Sequence, residues 1–343
     1  MILFGKKLHK NCLPLIIAEI SCNHEGSLSK AHELTLQAKL ASADAVKIQV
    51  YIADDMTINY QTNPDSNHDF WVKDGPWKCK HLYHLYEETG TPYEWLPDLF
   101  QYARNINIPL FASVFSLKGL AALEEQNCPT YKIASFELPD IYLIEKVAKT
   151  NKPIILSTGM ADLNEINKAI CHVDLQNIIL MHCVSAYPTK LENANLWRIN
   201  QLRTFYNVPV GFSDHTTGMF AAQYAVAMGA RIIEKHFGFD DTNSEDKTFS
   251  FGPDAFKRYA EGCRRAAEAT FKNPTPEEES SRQFRRSLYI VKDIKQGEIF
   301  TMDNVRSIRP SYGLSPSMLM EVITKKATYN IKAGTALKRE DLS

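Results

Sequence analysis

VPVGFSDHTTGMFAAQYAVAMGARIIEKHF, residues 208–237, decides the fold. It reads as strand, helix, strand. VPVGFS (208–213) and RIIEKHF (231–237) are short apolar runs that end in polar clusters, and TGMFAAQYAVAMG (217–229) between them is a helix candidate. A continuous apolar run, in place of alternation, is how a strand covered on both faces reads, and such strands belong to parallel sheets crossed by helices. Working outward, the same unit recurs. LIIAEIS (15–21), AVKIQV (45–50), PLFAS (109–113), TYKIAS (130–135), PIILST (153–158) and NIILMHCVS (177–185) are the other strand candidates. SKAHELTLQAKLA (29–41) and LPDLFQYARNI (96–106) are amphipathic helix candidates among them. Eight strands separated by helices predict an α/β fold, a (β/α)8 TIM barrel. A doubly wound open sheet would want a glycine-rich turn after the first strand; SCNHEGS (21–27) lacks it.

The connection from Tyr51 to about Pro92 is long for a βα loop and is expected on the rim of the active site. The barrel domain is expected over 1–272. KNPTPEEESSR, with two prolines and no apolar side chain, marks a linker over 273–282. From 283 to 343 short strands and turns define a small β-rich domain, in which KQGE and KAGT read as glycine turns at positive φ and as a weak pseudo-repeat.

Lys and Arg number 39 against 40 Asp and Glu, so no long-range field draws the chain to nucleic acid or an anionic membrane. The seven cysteines are scattered without a zinc-type spacing and fit a reducing compartment. The first residues do not read as a signal peptide, and no apolar run is long enough to span a membrane. A cytoplasmic enzyme is expected.

A barrel carries its chemistry at the C-terminal ends of the strands, so polar residues should gather there. Glu19, Ser21, Asn23 and His24 follow the first strand; Lys47 and Gln49 lie in the second; Ser113 ends the third. Lys132, Ser135 and Glu137 mark the fourth, Ser157 the fifth, His182, Ser185 and Tyr187 the sixth. Ser213, Asp214 and His215 end the seventh, and Glu234, Lys235 and His236 the eighth. Lys47 and Lys132, set in apolar strands, read as a clamp for an anion, as structural ion pairs, or as a Schiff-base lysine. His215 and His236, at matching depth on neighbouring strands, read as ligands of a divalent metal or as a hydrogen-bonded core pair. Glu19 reads as an acid or base, or as the partner of Lys47. Asp246, in the loop after the eighth strand, is within reach of the site or purely structural.

IAEISCNHEGS (17–27), ADAVKIQVY (43–51), YKIASFE (131–137), ILSTGMA (155–161), VSAYPT (184–189), VGFSDHTTG (210–218) and GARIIEKHF (229–237) resemble, in order, the N-acetylneuraminate (sialic acid) synthase family. RRSLYIVKDIKQGEIFTMDNVRSIRPSYGLSP (285–316) resembles that family's C-terminal SAF, or antifreeze-like, domain. Two segments, 74–95 and 244–256, are most similar to the pseudaminic acid branch. The resemblance implies condensation of phosphoenolpyruvate with an open-chain N-acylated amino sugar, 2,4-diacetamido-2,4,6-trideoxy-L-altrose in that branch, with release of phosphate. It implies that Lys47, Lys132, Ser135, Ser157 and Ser213 bind phosphoenolpyruvate, with Ser185 where the sialic acid branch has asparagine. His215 and His236 would hold a divalent metal (Mn2+, or Mg2+ or Co2+), and Glu19 would act near the reacting carbons. Gln49, Glu137, Tyr187, Glu234 and Asp246 would contact sugar or metal-bound water. Arg309 would reach the sugar's acyl group from a second subunit, which implies a domain-swapped homodimer. A sialic or legionaminic acid synthase, a Schiff-base aldolase and a non-catalytic carbohydrate-binding protein are the alternatives.

Overall fold

The computed structural model describes residues 1–9, 11–60, 70–75, 77–271 and 276–343. Residues 61–69 and 76 of the long connection, and 273–275 of the expected linker, lie outside the described residues. The chain divides into two compact units, Met1–Phe271 and Lys272–Ser343.

The first unit opens with a hairpin, β1 (Ile2–Leu3) and β2 (Lys6–Lys7), that the strand pattern did not reveal. It buries Leu3 and brings the Phe4 ring to 5.3 Å from that of Phe111. Eight parallel strands follow and close into a barrel: β3 (Leu15–Glu19), β4 (Ala45–Val50), β5 (Leu110–Val114), β6 (Tyr131–Ile133), β7 (Ile154–Ser157), β8 (Ile178–Cys183), β9 (Val210–Asp214) and β10 (Ile232–His236). β10 pairs with β3 to complete the ring, with His236 opposite Glu19. Every expected strand is present: β4 has the expected bounds, β5 and β9 start later and run one residue further, and the others are shorter.

The helices are α1 (Leu28–Leu40), α2 (Ala53–Met56), α3 (Leu82–Thr89), α4 (Leu96–Asn105), α5 (Leu117–Glu125), α6 (Ile141–Ala148), α7 (Leu163–Ile170), α8 (Trp197–Tyr206), α9 (Phe220–Ala227) and α10 (Pro253–Phe271). Their starts are chemically marked. Ser27, Ser116 and Asp140 accept from backbone N–H groups of the first turns of α1, α5 and α6, and Asp162 with Glu165 forms a capping box on α7. The strands are buried on both faces, so their apolar residues form one continuous core with the helix layer.

The second unit begins with a short helix, α11 (Pro276–Ser280), where the sequence reads as linker; Glu277, Glu278 and Glu279 in its first turn suit the positive end of the helix dipole. β11 (Ser287–Ile290) and β12 (Val305–Ile308) pair antiparallel, and α12 spans Leu319–Val322. The two glycine turns are real: Gly297 has φ 82° and Gly334 φ 91°. Ile294 and Ile331, each three residues before its glycine, exchange backbone hydrogen bonds of 2.9 and 2.8 Å. The pseudo-repeat is thus a local symmetry about that pair, built over Leu288, Ile290, Phe300 and Val305. No described helix in either unit is long and apolar enough to cross a membrane.

Candidate active site

Side chains alternate along a strand, so the residues at i and i+2 of each strand end share a face. The inward set forms a charged cluster at the barrel mouth. Lys132 Nζ donates to both oxygens of Glu234, at 3.1 and 3.2 Å. Lys47 Nζ lies 3.4 Å from Glu234 Oε1, donates to Ser113 Oγ at 3.0 Å, and is paired with Glu19. Ser213 Oγ donates to Glu234 Oε1 at 3.0 Å, and Glu19 Oε1 accepts from the backbone N–H of Ser21 at 2.7 Å. All these side chains are buried.

Their electrostatics diverge. Burial works against ionisation of Glu234, but Lys132 and Lys47 hold its carboxyl well below the usual range. Burial pushes Glu19 upward despite Lys47 beside it. Burial alone would lower the Lys47 amine; the Glu19 and Glu234 carboxylates outweigh it and raise the amine. Lys132 is lowered by burial, which Glu234 opposes only in part. Two carboxylates pushed apart in this way divide naturally into a permanent counter-ion and a proton-exchanging group.

Beside the cluster stand the two imidazoles, with ring centroids 5.7 Å apart. His215 Nδ1 donates to Val184 O at 2.8 Å. Burial and the neighbouring His236 lower its pKa to about 3. The ring is therefore neutral, and its Nε2 lone pair faces away from the Val184 carbonyl. His236 Nδ1 lies 3.1 Å from Asp246 Oδ2, so the loop aspartate does reach the site. That loop is clasped from below: Asn23 Nδ2 donates to Phe237 O and Ser250 Oγ, both at 2.9 Å, and Glu25 accepts from Asn243 N at 2.7 Å. His215 Nε2 lies 3.4 Å from Ser213 Oγ, on the side of the charged cluster. Two imidazoles set side by side at adjacent strand ends fit a divalent ion that completes its shell with water or substrate. Among the described residues no group of three or more His, Cys, Asp or Glu side chains is placed to hold a metal. Tyr187 and Phe249 wall the pair, Tyr187 at 4.3 Å from His215 and Phe249 at 4.8 Å from His236.

Ser135 and Ser185 meet, Oγ to Oγ, at 2.9 Å. They can do so because Gly159 lies against both: a Cβ there would fall 2.5 Å from Ser185 Oγ and 3.1 Å from Ser135 Oγ. Ser157 is buried at the end of β7, opposite Met181. Gln49 is opposite Ser113, and Glu137 is half-buried with Oε2 lacking a hydrogen-bond partner. Arg309 follows β12, in the second unit.

Three of the strand-end polar residues do not join this mouth. Lys235 Nζ donates to the carbonyls of Asp214, at 3.1 Å, and Thr216, and lies 4.5 Å from the Phe251 ring centre. Asp214 accepts from Thr216 N at 2.9 Å and from Tyr259 Oη, on α10, at 2.9 Å. His182 Nε2 donates to Ala194 O at 2.8 Å and stacks on Phe212. These residues face the helix layer and brace the strands that carry His215 and His236. The two-residue period of a strand was the available signal. His24 is buried, accepts from Gly26 N at 3.2 Å and sits edge-on to Trp95, tying the first loop to the second. Ser113 and Trp77 joined the site without being expected there as ligand contacts. Ser113 was visible as a strand end, whereas nothing local marks Trp77.

The fold and the mouth together define a (β/α)8-barrel enzyme with cations, hydroxyls and an imidazole pair converging at one end. The chain belongs to the NeuB family: the family's model matches residues 34–273, and that of the SAF domain matches residues 285–343. It is 44% identical over 334 residues to a pseudaminic acid synthase of Campylobacter jejuni, covering 95% of this chain and 96% of the relative. It is 40% identical over 338 residues to a pseudaminic acid synthase of Helicobacter pylori, covering 96% and 98%. The crystal structure of an N-acetylneuraminic acid synthetase from Leptospira borgpetersenii superposes with a TM-score of 0.69 at 29% identity, covering 79% of this chain and 90% of that one.

Proposed function

We propose that this chain is a pseudaminic acid synthase, condensing phosphoenolpyruvate with 2,4-diacetamido-2,4,6-trideoxy-L-altrose to give a nonulosonic acid and phosphate. The observation that carries the reading is the convergence of Lys47 and Lys132 on Glu234 beside the His215 and His236 pair, on a chain alike over nearly its whole length to synthases of that name.

Lys47, Lys132 and the hydroxyls of Ser135, Ser157, Ser185 and Ser213 bind the phosphate and carboxylate of phosphoenolpyruvate, as pre-set donors in a buried site. Glu234 keeps the lysines in place and charged until the anion arrives. C3 of phosphoenolpyruvate attacks the sugar aldehyde, water adds at C2, and the C–O bond to phosphate breaks. Glu19, its carboxyl raised by burial and so more basic than an exposed carboxylate, serves as the group that orients and deprotonates that water. Lys47, with its amine held protonated by Glu19 and Glu234, acts as an electrostatic clamp in place of a Schiff-base nucleophile. His215 and His236 would hold a divalent ion, Mn2+, Mg2+ or Co2+, and such an ion supplies Lewis-acid polarisation of the aldehyde. Gln49, Glu137, Tyr187 and Asp246 position the sugar. Arg309 contacts its acyl group from the partner subunit of a domain-swapped homodimer.

The test is phosphate release from phosphoenolpyruvate with Mn2+ and three sugars: the altrose compound, its manno isomer and N-acetylmannosamine. The altrose compound is expected to give the highest kcat/KM. Turnover with N-acetylmannosamine alone contradicts the reading, and borohydride trapping of Lys47 or Lys132 with a keto substrate would replace it with an aldolase.

A further inference from the structure

We propose that Trp77 is a specificity-determining residue of this site, selecting a sugar whose far end is a methyl group over one ending in a hydroxymethyl. The proposal rests on the synthase reading above and deepens it.

Trp77 belongs to the connection between β4 and β5. Residues 70–75 and 77–82 form a finger there: Val72 N donates to Lys80 O and Cys79 N to Val72 O, both at 2.9 Å, and Leu82 N to Phe70 O at 2.8 Å. Trp77 lies in the turn of that finger. The finger has its own aromatic cluster, in which Trp71 stands 5.4 Å from His81. Trp77 packs elsewhere, with its ring 5.6 Å from Tyr187. Tyr187 in turn lies 4.3 Å from His215 and 5.2 Å from Phe249. The finger is pinned in this position by an ion pair between Lys80 and Glu245, the residue before Asp246.

The site therefore has an ordered polarity. The charged cluster of Glu19, Lys47, Lys132 and Glu234 lies at one end, the imidazole pair comes next, then Tyr187 and Phe249, and the half-exposed indole last. An aldehyde carbon at the histidines directs the remainder of an open-chain sugar along this aromatic wall, so its last carbon ends beneath Trp77. A methyl group there buries apolar surface against the indole face. A hydroxymethyl would give up its hydrogen bonds to water against aromatic carbon. Discrimination of this kind, an apolar wall against an added hydroxyl, reaches about 100-fold.

The experiment compares kcat/KM for 2,4-diacetamido-2,4,6-trideoxy-L-altrose and its 6-hydroxy counterpart in wild type, Trp77→Ala and Trp77→Phe, with thermal melts of all three. Wild type is expected to favour the deoxy sugar by roughly 10–100-fold. Trp77→Ala should bring that ratio to within about threefold, mainly by raising KM for the deoxy sugar, and Trp77→Phe should retain most of it. Sugar added without phosphoenolpyruvate should change tryptophan fluorescence in wild type and not in Trp77→Phe. Equal loss on both sugars in either variant, with wild type active, overturns the role of Trp77 and leaves the synthase reading standing. A wild type that turns over neither sugar sinks the synthase reading and the proposal with it.

Discussion

Lys132 and Glu234 are 102 residues apart in the chain, yet the lysine Nζ lies 3.1 Å from one carboxylate oxygen and 3.2 Å from the other. β6 supplies one and β10 the other, and the contact spans the barrel mouth. Lys47 joins it from β4, so Glu234 touches two buried cations, of which Lys47 is also paired with Glu19.

Removing that carboxylate should be severe. Glu234→Gln leaves the buried Lys132 amine without its carboxylate, while Lys47 keeps Glu19, and breaking a buried pair on one side costs about 3–5 kcal/mol. Urea unfolding should show a loss of that size, and phosphate release should fall to background. A loss below about 1 kcal/mol would mean that the lysines are neutralised by other groups.

The hydroxyl pair depends on a missing side chain. Gly159→Ala places a Cβ against Ser185 Oγ, Cys183 Sγ and Ser135 Oγ, at 2.5, 2.8 and 3.1 Å. Those groups must move, so KM for phosphoenolpyruvate should rise by roughly 10-fold or more, the equivalent of about 1.4 kcal/mol, while KM for the sugar changes little. Equal changes in the two constants would place the pair outside the phosphoenolpyruvate site.

Chelation should abolish turnover, and added Mn2+ should restore it. His236→Ala should abolish it without rescue. Val184 O accepts from His215 Nδ1, so the tautomer that puts a lone pair on Nε2 is built in and does not depend on pH near neutrality. Full activity in EDTA would remove the proposed role of both rings.

Glu137 predicts a pH effect. Its Oε2 is buried without a hydrogen-bond partner, and burial, with Asp140 adding to it, lifts the carboxyl from 4.5 to about 7. Between those values the folded chain keeps a proton that the unfolded chain has released, so stability falls as pH rises through that window. In Glu137→Gln the fall should be shallower. The difference in melting temperature between variant and wild type should grow from pH 4.5 to about 7 and then level off. A difference constant with pH contradicts the shift.

Much of the architecture was legible because it is local. Eight apolar runs with helices between them gave eight barrel strands, since a strand buried on both faces must be apolar throughout. Ser27, Ser116, Asp140 and Asp162, whose side chains accept from the backbone N–H three residues on, mark helix starts that the apolar pattern did not single out. Gly297 and Gly334 make turns because their φ values suit no other residue as well. The N-terminal hairpin escaped notice because two-residue strands carry too little pattern to register.

The sequence by itself therefore determined the order of strands and helices, the glycine turns of the second unit and the list of polar residues at strand ends. Only the tertiary structure decided which of these meet. Whether a strand-end residue points into the mouth or toward the helices depends on its phase in a two-residue period, which placed Ser213, His215, Glu234 and His236 inside and Asp214 and Lys235 outside. That Lys132 finds Glu234, and that Trp77 comes to rest on Tyr187, follows from closing the barrel and folding a long connection back over it. The pairing of His215 and His236 lay between these cases. Their adjacent strands were readable as a sequence, but the hydrogen bond from His215 to Val184 and the reach of Asp246 to His236, which engage the two Nδ1 atoms, exist only once the loops are in place.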